Sequence, residues 1–397
     1  MTTEKLAKLG GHVSPISDRV KRVSPSGIRK FFDLLSSMEG VISLGVGEPD
    51  YATPWHICEA AIYSIEKGST MYTSNLGMPE LRQELSKYLK ESYSINYNAG
   101  SELLITVGVS EALDLAMRAI INPGDEIIMP DPCYVSYDAC TILAGGIPIR
   151  VPTREEDGFE LDATDIEARI THKTKAILLG YPANPTGAVM PKGKLERIAE
   201  LALRYNLFII SDEIYARLVY GTEHTCLASL KAMKDGTILL GGFSKSYAMT
   251  GWRIGYAAAN EEIIAAMTKI HQYSIMSAPS MGQIAAMEAL ESGDDSVREM
   301  VEDYNRRRLI MMNGLCDIGL SCFEPRGAFY TFPSIKSTGM TSEEFAEKLL
   351  VEKKVAVVPG KAFGKCGEGH IRCCYATSLQ EIEEALERIR CFVKKHT

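Results

Sequence analysis

Between about residue 100 and residue 260 the chain alternates short β-rich apolar runs with helix-length amphipathic segments, and this alternation restricts the fold more than any other feature. The runs are Leu103 to Val107, Glu126 to Met129, Ile147 to Val151, Ala176 to Leu179, Leu207 to Ser211, Thr237 to Leu240 and Arg253 to Ala257. Helical patterns fall between several of them, as in Ser110 to Ile121 and Lys192 to Tyr205. Strand and helix in turn are the signature of βα units feeding one mostly parallel sheet, which takes its ligands at the carboxyl ends of its strands. After about residue 290 the texture changes to a long charged helix through Glu299 to Asn313, short strands near Ala328 to Phe332 and Ala356 to Val358, and a last helix from Leu379 towards Val393. The expected architecture is α/β: a large domain over residues 47–288, its mostly parallel sheet flanked by helices, and a smaller discontinuous α+β domain from residues 1–46 with 289–397. A chain of 397 residues has room for both, because a single core stops growing at roughly 250 to 300 residues.

Charge and composition narrow the partners. A net charge of −8 without a concentrated basic stretch argues against a nucleic-acid surface, since neutralising a phosphate backbone requires clustered Lys and Arg. No apolar run is long enough to span a bilayer, and MTTEKLAKLGG lacks the apolar centre of a signal peptide, so no membrane partner and a cytoplasmic location are expected. The ten cysteines form no Cys-x-x-Cys pair and read as reduced small hydrophobes. There is neither His-Glu-x-x-His nor a Cys/His ligand cluster, and no metal is expected.

The most informative segment is Gly241-Gly-Phe-Ser-Lys-Ser-Tyr-Ala-Met-Thr-Gly-Trp-Arg-Ile-Gly255. It sets Lys245 just beyond an apolar strand and two glycines, between Ser244 and Ser246, where a surface lysine is normally avoided. A half-buried lysine has a depressed pKa and can attack a carbonyl group. Arg253 follows and offers a planar fork for a phosphate. Taken singly, the two read more simply as a snorkelling lysine at a strand end and a structural arginine. Upstream, Leu207-Phe-Ile-Ile-Ser-Asp-Glu-Ile-Tyr215 puts Asp212 at the carboxyl end of a strongly apolar strand, with Tyr215 just after it. Such a carboxylate can keep a pyridinium nitrogen protonated, and the phenol can donate to a ring oxygen. Alone, Asp212 equally reads as a helix cap. In Tyr181-Pro-Ala-Asn-Pro-Thr-Gly187 two prolines fix a turn around Asn184 and aim its amide. In Thr106-Val-Gly-Val-Ser-Glu-Ala-Leu113 a glycine turn opens a helix whose Val109 amide and Ser110 hydroxyl suit a phosphate, although a generic helix start looks the same.

In this order and spacing the four blocks resemble the class I aminotransferases of pyridoxal 5′-phosphate fold type I, near the aspartate and aromatic amino acid enzymes. The resemblance covers nearly the whole chain, from Ser43-Leu-Gly-Val-Gly-Glu-Pro-Asp50 and Tyr72-Thr-Ser-Asn-Leu-Gly-Met-Pro-Glu-Leu-Arg82 to Val355-Ala-Val-Val-Pro-Gly360 and His370-Ile-Arg-Cys-Cys-Tyr-Ala376. It implies that Lys245 carries the cofactor in a Schiff base and serves as the general base, that Asp212 pairs with the pyridine nitrogen, and that Asn184 and Tyr215 hold the ring oxygen. Tyr134, in Asp131-Pro-Cys-Tyr-Val-Ser-Tyr137, falls where the family stacks an aromatic ring on the cofactor. Val109, Ser110, Ser244 and Arg253 match the phosphate binders, and Arg372, with Gly47 and Asn184, the binders of the substrate carboxylate. Tyr72 matches a tyrosine that the family lends to the phosphate of the neighbouring subunit, which implies a homodimer. Two positions depart from the pattern. Ala183 replaces an asparagine common before Asn-Pro-Thr-Gly, and Gly242 stands where some members place a phosphate-binding serine, leaving more of that task to Ser110 and Ser244.

The implied activity is transfer of the amino group of an amino acid, aromatic or of broader range, to a 2-oxo acid, with 2-oxoglutarate as the expected acceptor and ping-pong kinetics. The alternative on the same scaffold is a carbon–sulfur β-lyase, because the cofactor performs the bond chemistry while the protein selects which bond breaks. A nucleotide-binding dehydrogenase is more distant, since Gly45-x-Gly47 runs on into Glu48-Pro-Asp50 and lacks the third glycine of the dinucleotide fingerprint. A DNA-binding regulator built on the same fold requires more chain before Gly45 than the sequence provides.

Overall fold

The computed structural model describes residues 15–25 and 38–396. Its strands are β1 (Ile42–Ser43), β2 (Leu103–Thr106), β3 (Glu126–Asp131), β4 (Ile147–Pro152), β5 (Thr174–Gly180), β6 (Phe208–Asp212), β7 (Thr237–Gly242), β8 (Gly255–Ala258), β9 (Tyr330–Thr331), β10 (Val355–Ala356), β11 (Val358–Pro359) and β12 (Ile371–Cys374). Seven of them form one sheet in the order β2-β8-β7-β6-β5-β3-β4. The pairings from β7 through β6, β5 and β3 to β4 are parallel, whereas β8 runs antiparallel to both β2 and β7. Strands in such a sheet are covered on both faces and so read as continuous apolar runs. Along β3, Ile127 and Met129 enter one buried cluster with the helix Gly108–Ile120, while Ile128 enters another with the helix Lys192–Tyr205. The latter helix starts after Pro191 and stops where Asn206 turns left-handed at φ 53°, a residue type that tolerates this conformation.

A second group of elements follows residue 290. The strands β11, β12 and β9 form an antiparallel sheet, and β1 pairs with β10 in parallel. The helices Asp294–Asp317, Ser342–Lys353 and Leu379–His396 pack with them around Tyr304, Leu315, Phe345 and Phe392. The helix Ser342–Lys353 is started by a capping box between Thr341 and Glu344. Of the N-terminal stretch assigned to this unit, residues 1–14 and 26–37 lie outside the described residues.

Several expected boundaries move for local reasons. The strand expected from Arg253 begins at Gly255, because Arg253 itself has φ 56°. Ala328, with φ 56°, likewise delays the strand expected there until Tyr330. The single strand expected over Ala356 to Val358 is two strands, since the chain changes partner around Val357, from β1 to β12.

Candidate active site

A cleft of about 1010 Å³ opens at the carboxyl ends of the parallel strands, where Asn184 follows β5, Asp212 ends β6, and Ser244 and Lys245 follow β7. Gly47, Val109, Ser110, Tyr134, Tyr215, Arg253 and Arg372 line the same cleft. Tyr72 does not line it; its side chain is 81% exposed.

The groups inside are set against their ordinary ionisation. Burial lowers the Lys245 amine to about 8, against 10.5 in water, and its Nζ donates to the Gly47 carbonyl at 2.6 Å. Burial raises the Asp212 carboxyl to about 6. The Tyr137 hydroxyl, donating to Asp212 Oδ2 at 2.9 Å, and the Ile214 amide hold the shift back. No cation of this chain pairs with Asp212 among the described residues. Loss of water also pushes the Tyr215 phenol well above its usual range, and its oxygen lies 2.8 Å from that of Tyr330.

Arg372 is buried, with its guanidinium over the Tyr330 ring at 4.4 Å and the Phe363 ring at 5.0 Å. Its Nη1 donates to Asn184 Oδ1 at 2.8 Å and its Nη2 to the Gly45 carbonyl at 2.6 Å. Nε is buried without a partner among the described residues, an open donor in a place where polar atoms are rarely left unpaired. With its oxygen engaged by Arg372, Asn184 has its amide nitrogen left to donate.

The helix Gly108–Ile120 starts without a side-chain cap, so its first amides stay open, and the positive end of its dipole adds to them. Gly108 has φ 73°, and a Cβ there would lie 2.6 Å from Arg253 Nη2. A Cβ on Gly255 would lie 2.6 Å from the Val109 nitrogen. These two glycines let arginine, turn and strand close up into a cradle for an anion. At Gly242, a Cβ would stand 2.9 Å from Val109 Cγ2, so a serine there would press on the Val109 side chain. Ala183 closes its own turn through the backbone, its amide donating to Ala188 O at 2.9 Å and its carbonyl accepting from the Gly187 amide at 2.8 Å.

Two participants went unassigned in the sequence, Tyr137 against Asp212 and Tyr330 between Tyr215 and Arg372. Tyr137 stands three residues after Tyr134, in the first turn of the helix Ser136–Ala144, and Gly180 at the end of β5 makes room for it, since a Cβ on Gly180 would run into the Tyr137 hydroxyl. Tyr330 ends the Gly-Ala-Phe-Tyr run from Gly327, and Gly47 makes the corresponding room for its ring. Each is a tyrosine facing a glycine distant in sequence, a pairing visible only once the chain is folded. Arg22 to Pro25 also line the cleft, with no signal in the sequence to announce them.

The chain belongs to the class I and II aminotransferases, whose family pattern matches residues 39–389, and it is a fold type I enzyme that uses pyridoxal 5′-phosphate to transfer amino groups. Among its relatives, an aspartate aminotransferase of Pyrococcus abyssi (strain GE5 / Orsay) is 45% identical over 377 residues, 94% of this chain and 97% of that protein. Aromatic-amino-acid aminotransferase 2 of Thermococcus litoralis is 43% identical over 383 residues, 96% of this chain and 98% of that protein. The crystal structure of the aromatic aminotransferase from Pyrococcus horikoshii OT3 matches with a TM-score of 0.88 at 42% identity, covering 92% of this chain and 99% of that one.

The cleft fits the cofactor on its own geometry. The uncapped helix start beside Arg253 suits its phosphate, the buried carboxyl without a cation suits its ring nitrogen, and the buried amine suits its aldehyde. Among the described residues no cluster of His, Cys, Asp and Glu could hold a metal ion. No helix among them is long and apolar enough to cross a membrane.

Proposed function

We propose that this aminotransferase takes its amino group from aromatic amino acids, or from a broader set that includes them, and delivers it to 2-oxoglutarate in a ping-pong cycle. The observation that carries the reading is the open Nε of the buried Arg372, in the same cleft as the low-pKa amine of Lys245: a donor for an α-carboxylate and a base for the α-proton. The donor range follows the relatives, one named for aspartate and one for aromatic amino acids.

Bound pyridoxal phosphate supplies a conjugated ring that accepts the electron pair released at the amino acid's α-carbon. Lys245 would hold the cofactor through its amine, and the same amine, freed of its proton near neutral pH by burial, would serve as the base for the substrate α-proton. Asp212, oriented by Tyr137, would hold a proton on the ring nitrogen. Tyr215 and the Asn184 amide nitrogen would donate to the ring oxygen, and Tyr134 would face the ring. The Val109 amide, Ser110, Ser244 and Arg253 would take the phosphate, while Arg372, Asn184 and the Gly47 amide would take the substrate carboxylate. Residues 47–288 serve as the large cofactor domain, and residues 1–46 with 289–397 as the small domain that closes on the substrate; the β1–β10 pairing supports assigning the chain before Val46 to the latter. A cytoplasmic location fits the ten free thiols.

A half-reaction screen tests the substrate range. The purified holoenzyme is mixed with single amino acids, loss of the cofactor's visible absorbance is followed, and 2-oxoglutarate is then added. Phenylalanine and tyrosine should bleach the absorbance and 2-oxoglutarate restore it. Bleaching by aspartate and glutamate alone would reject the aromatic donor range, and pyruvate released from a cysteine thioether without bleaching would point to β-elimination.

A further inference from the structure

Glu111 lies in the first turn of the helix Gly108–Ile120, one residue after Ser110. A carboxylate there stands near the charge of any phosphate bound at the helix start and would repel it, so its presence calls for a compensating role. Its side chain is turned back onto the chain. Oε2 accepts the Val107 amide at 2.5 Å, and Oε1 lies 2.7 Å from Nδ1 of His271. His271 comes from the helix Glu261–Ser274, is fully buried, and has no partner for its Nε2 among the described residues. A carboxylate only accepts, so Nδ1 carries the proton of this bond. An imidazole buried with one nitrogen unmatched is held in place by what the other nitrogen does.

Val107 is the residue at which the strand β2 gives way to the turn. The turn is pinned on its other sides by the Arg253 guanidinium against Gly108, by Gly255 against the Val109 nitrogen, and by the Thr106 hydroxyl donating to the Gly108 carbonyl at 3.0 Å. Glu111 supplies the remaining clasp, and it uses up the Val107 amide while the amides after it stay open. We infer that Glu111, oriented by the buried His271, is a positioning residue for the cofactor phosphate: its bond to the Val107 amide fixes the angle at which the helix start presents the following amides. The inference rests on the Ser110–Arg253 cradle being the phosphate site.

The test compares pyridoxal 5′-phosphate with pyridoxal, which lacks the phosphate, in absorbance titrations of the full chain freed of cofactor. Glu111→Ala should raise the dissociation constant for pyridoxal phosphate about tenfold and leave that for pyridoxal within about twofold, because only the former uses the helix start. Glu111→Gln keeps an oxygen for the Val107 amide and should bind pyridoxal phosphate nearly as the natural chain does. His271→Leu should weaken pyridoxal phosphate alone, by a smaller factor, and carries the same test if Glu111→Ala does not fold. Equal weakening of both ligands, or of neither, in Glu111→Ala and His271→Leu overturns the positioning role if Arg253→Ala still weakens pyridoxal phosphate selectively. If Arg253→Ala also loses that selectivity, the phosphate site itself is misplaced and the inference falls with it.

Discussion

Lys245 gives up its proton near 8 and Asp212 keeps its proton up to about 6, and in both the loss of water is the main cause. For Lys245 the unfolded chain holds the proton up to 10.5 while the folded chain releases it above about 8, so the cofactor-free protein gains stability as pH rises between those values. At pH 7 the buried ammonium costs about 3 kcal/mol relative to a neutral side chain. Lys245→Met should therefore be the more stable cofactor-free protein at pH 7 by about that amount, with the gap shrinking towards pH 10 in urea unfolding; a gap independent of pH would show that the amine is not desolvated. Asp212 moves in the opposite sense. Its folded pKa lies above the unfolded one, so the cost of its ionisation is absent at low pH and complete above about 6, where a cationic ring nitrogen would offset it. Tyr137→Phe removes the side-chain donor that favours this carboxylate and should lower kcat/KM about tenfold or more, with KM for the substrate little changed. That Lys245, Asp212, Asn184, Tyr215 and Arg253 share one cleft is legible in the sequence because each sits in a short local motif next to a strand. That Tyr137 and Tyr330 join them is not, because their partners Asp212, Tyr215 and Arg372 are brought to them only by folding.

At the level of elements the apolar runs gave strand positions to within a few residues, since apolar patterning reports burial on both faces of a sheet. It reports neither direction nor partner. Nothing in Gly255–Ala258 distinguishes a reversed strand from a parallel one, yet β8 runs against both its neighbours in the large sheet, and its first residue closes on the turn at Gly108 and Val109. Gly255 is the point where strand and turn touch. A Cβ there would meet the Gly108 carbonyl carbon and the Val109 nitrogen at 2.6 Å, both backbone atoms of a turn that cannot swing aside as a side chain can. Gly255→Ala should cost about 1–3 kcal/mol of stability and weaken cofactor retention on dialysis, while Gly251→Ala, with nothing within 4 Å of its Cβ, should leave the melting temperature almost unchanged. Retention equal to that of the natural chain in Gly255→Ala would mean that the turn relaxes freely and that strand and helix are not coupled.

For the whole molecule the open question is whether one chain makes a complete site. The stretch from Ser69 to Gly77 is tied down from behind: Asn75 donates to the Met276 carbonyl at 2.7 Å, Gln283 to Thr73 Oγ1 at 2.9 Å, and Ser280 to the Ser69 carbonyl at 3.1 Å. Yet within it Met71 is 79% exposed and Tyr72 81%, and Tyr273 of the helix Glu261–Ser274 is 88% exposed, large side chains offered to water from anchored backbone. Large apolar side chains held out to water by anchored backbone point to an interface, and closed two-fold dimers are the commonest way to cover one. The protein should therefore be a homodimer in which Tyr72 reaches the phosphate cradle of the other subunit. Mixing the two impaired variants Tyr72→Ala and Lys245→Ala under subunit exchange decides the matter. If Tyr72 acts across the interface, one site of each mixed dimer combines an intact Tyr72 with an intact Lys245, and activity should rise above that of either parent. If Tyr72 serves its own subunit, each site in the mixed dimer lacks one of the two residues, and no activity should be regained even when exchange is verified by mass.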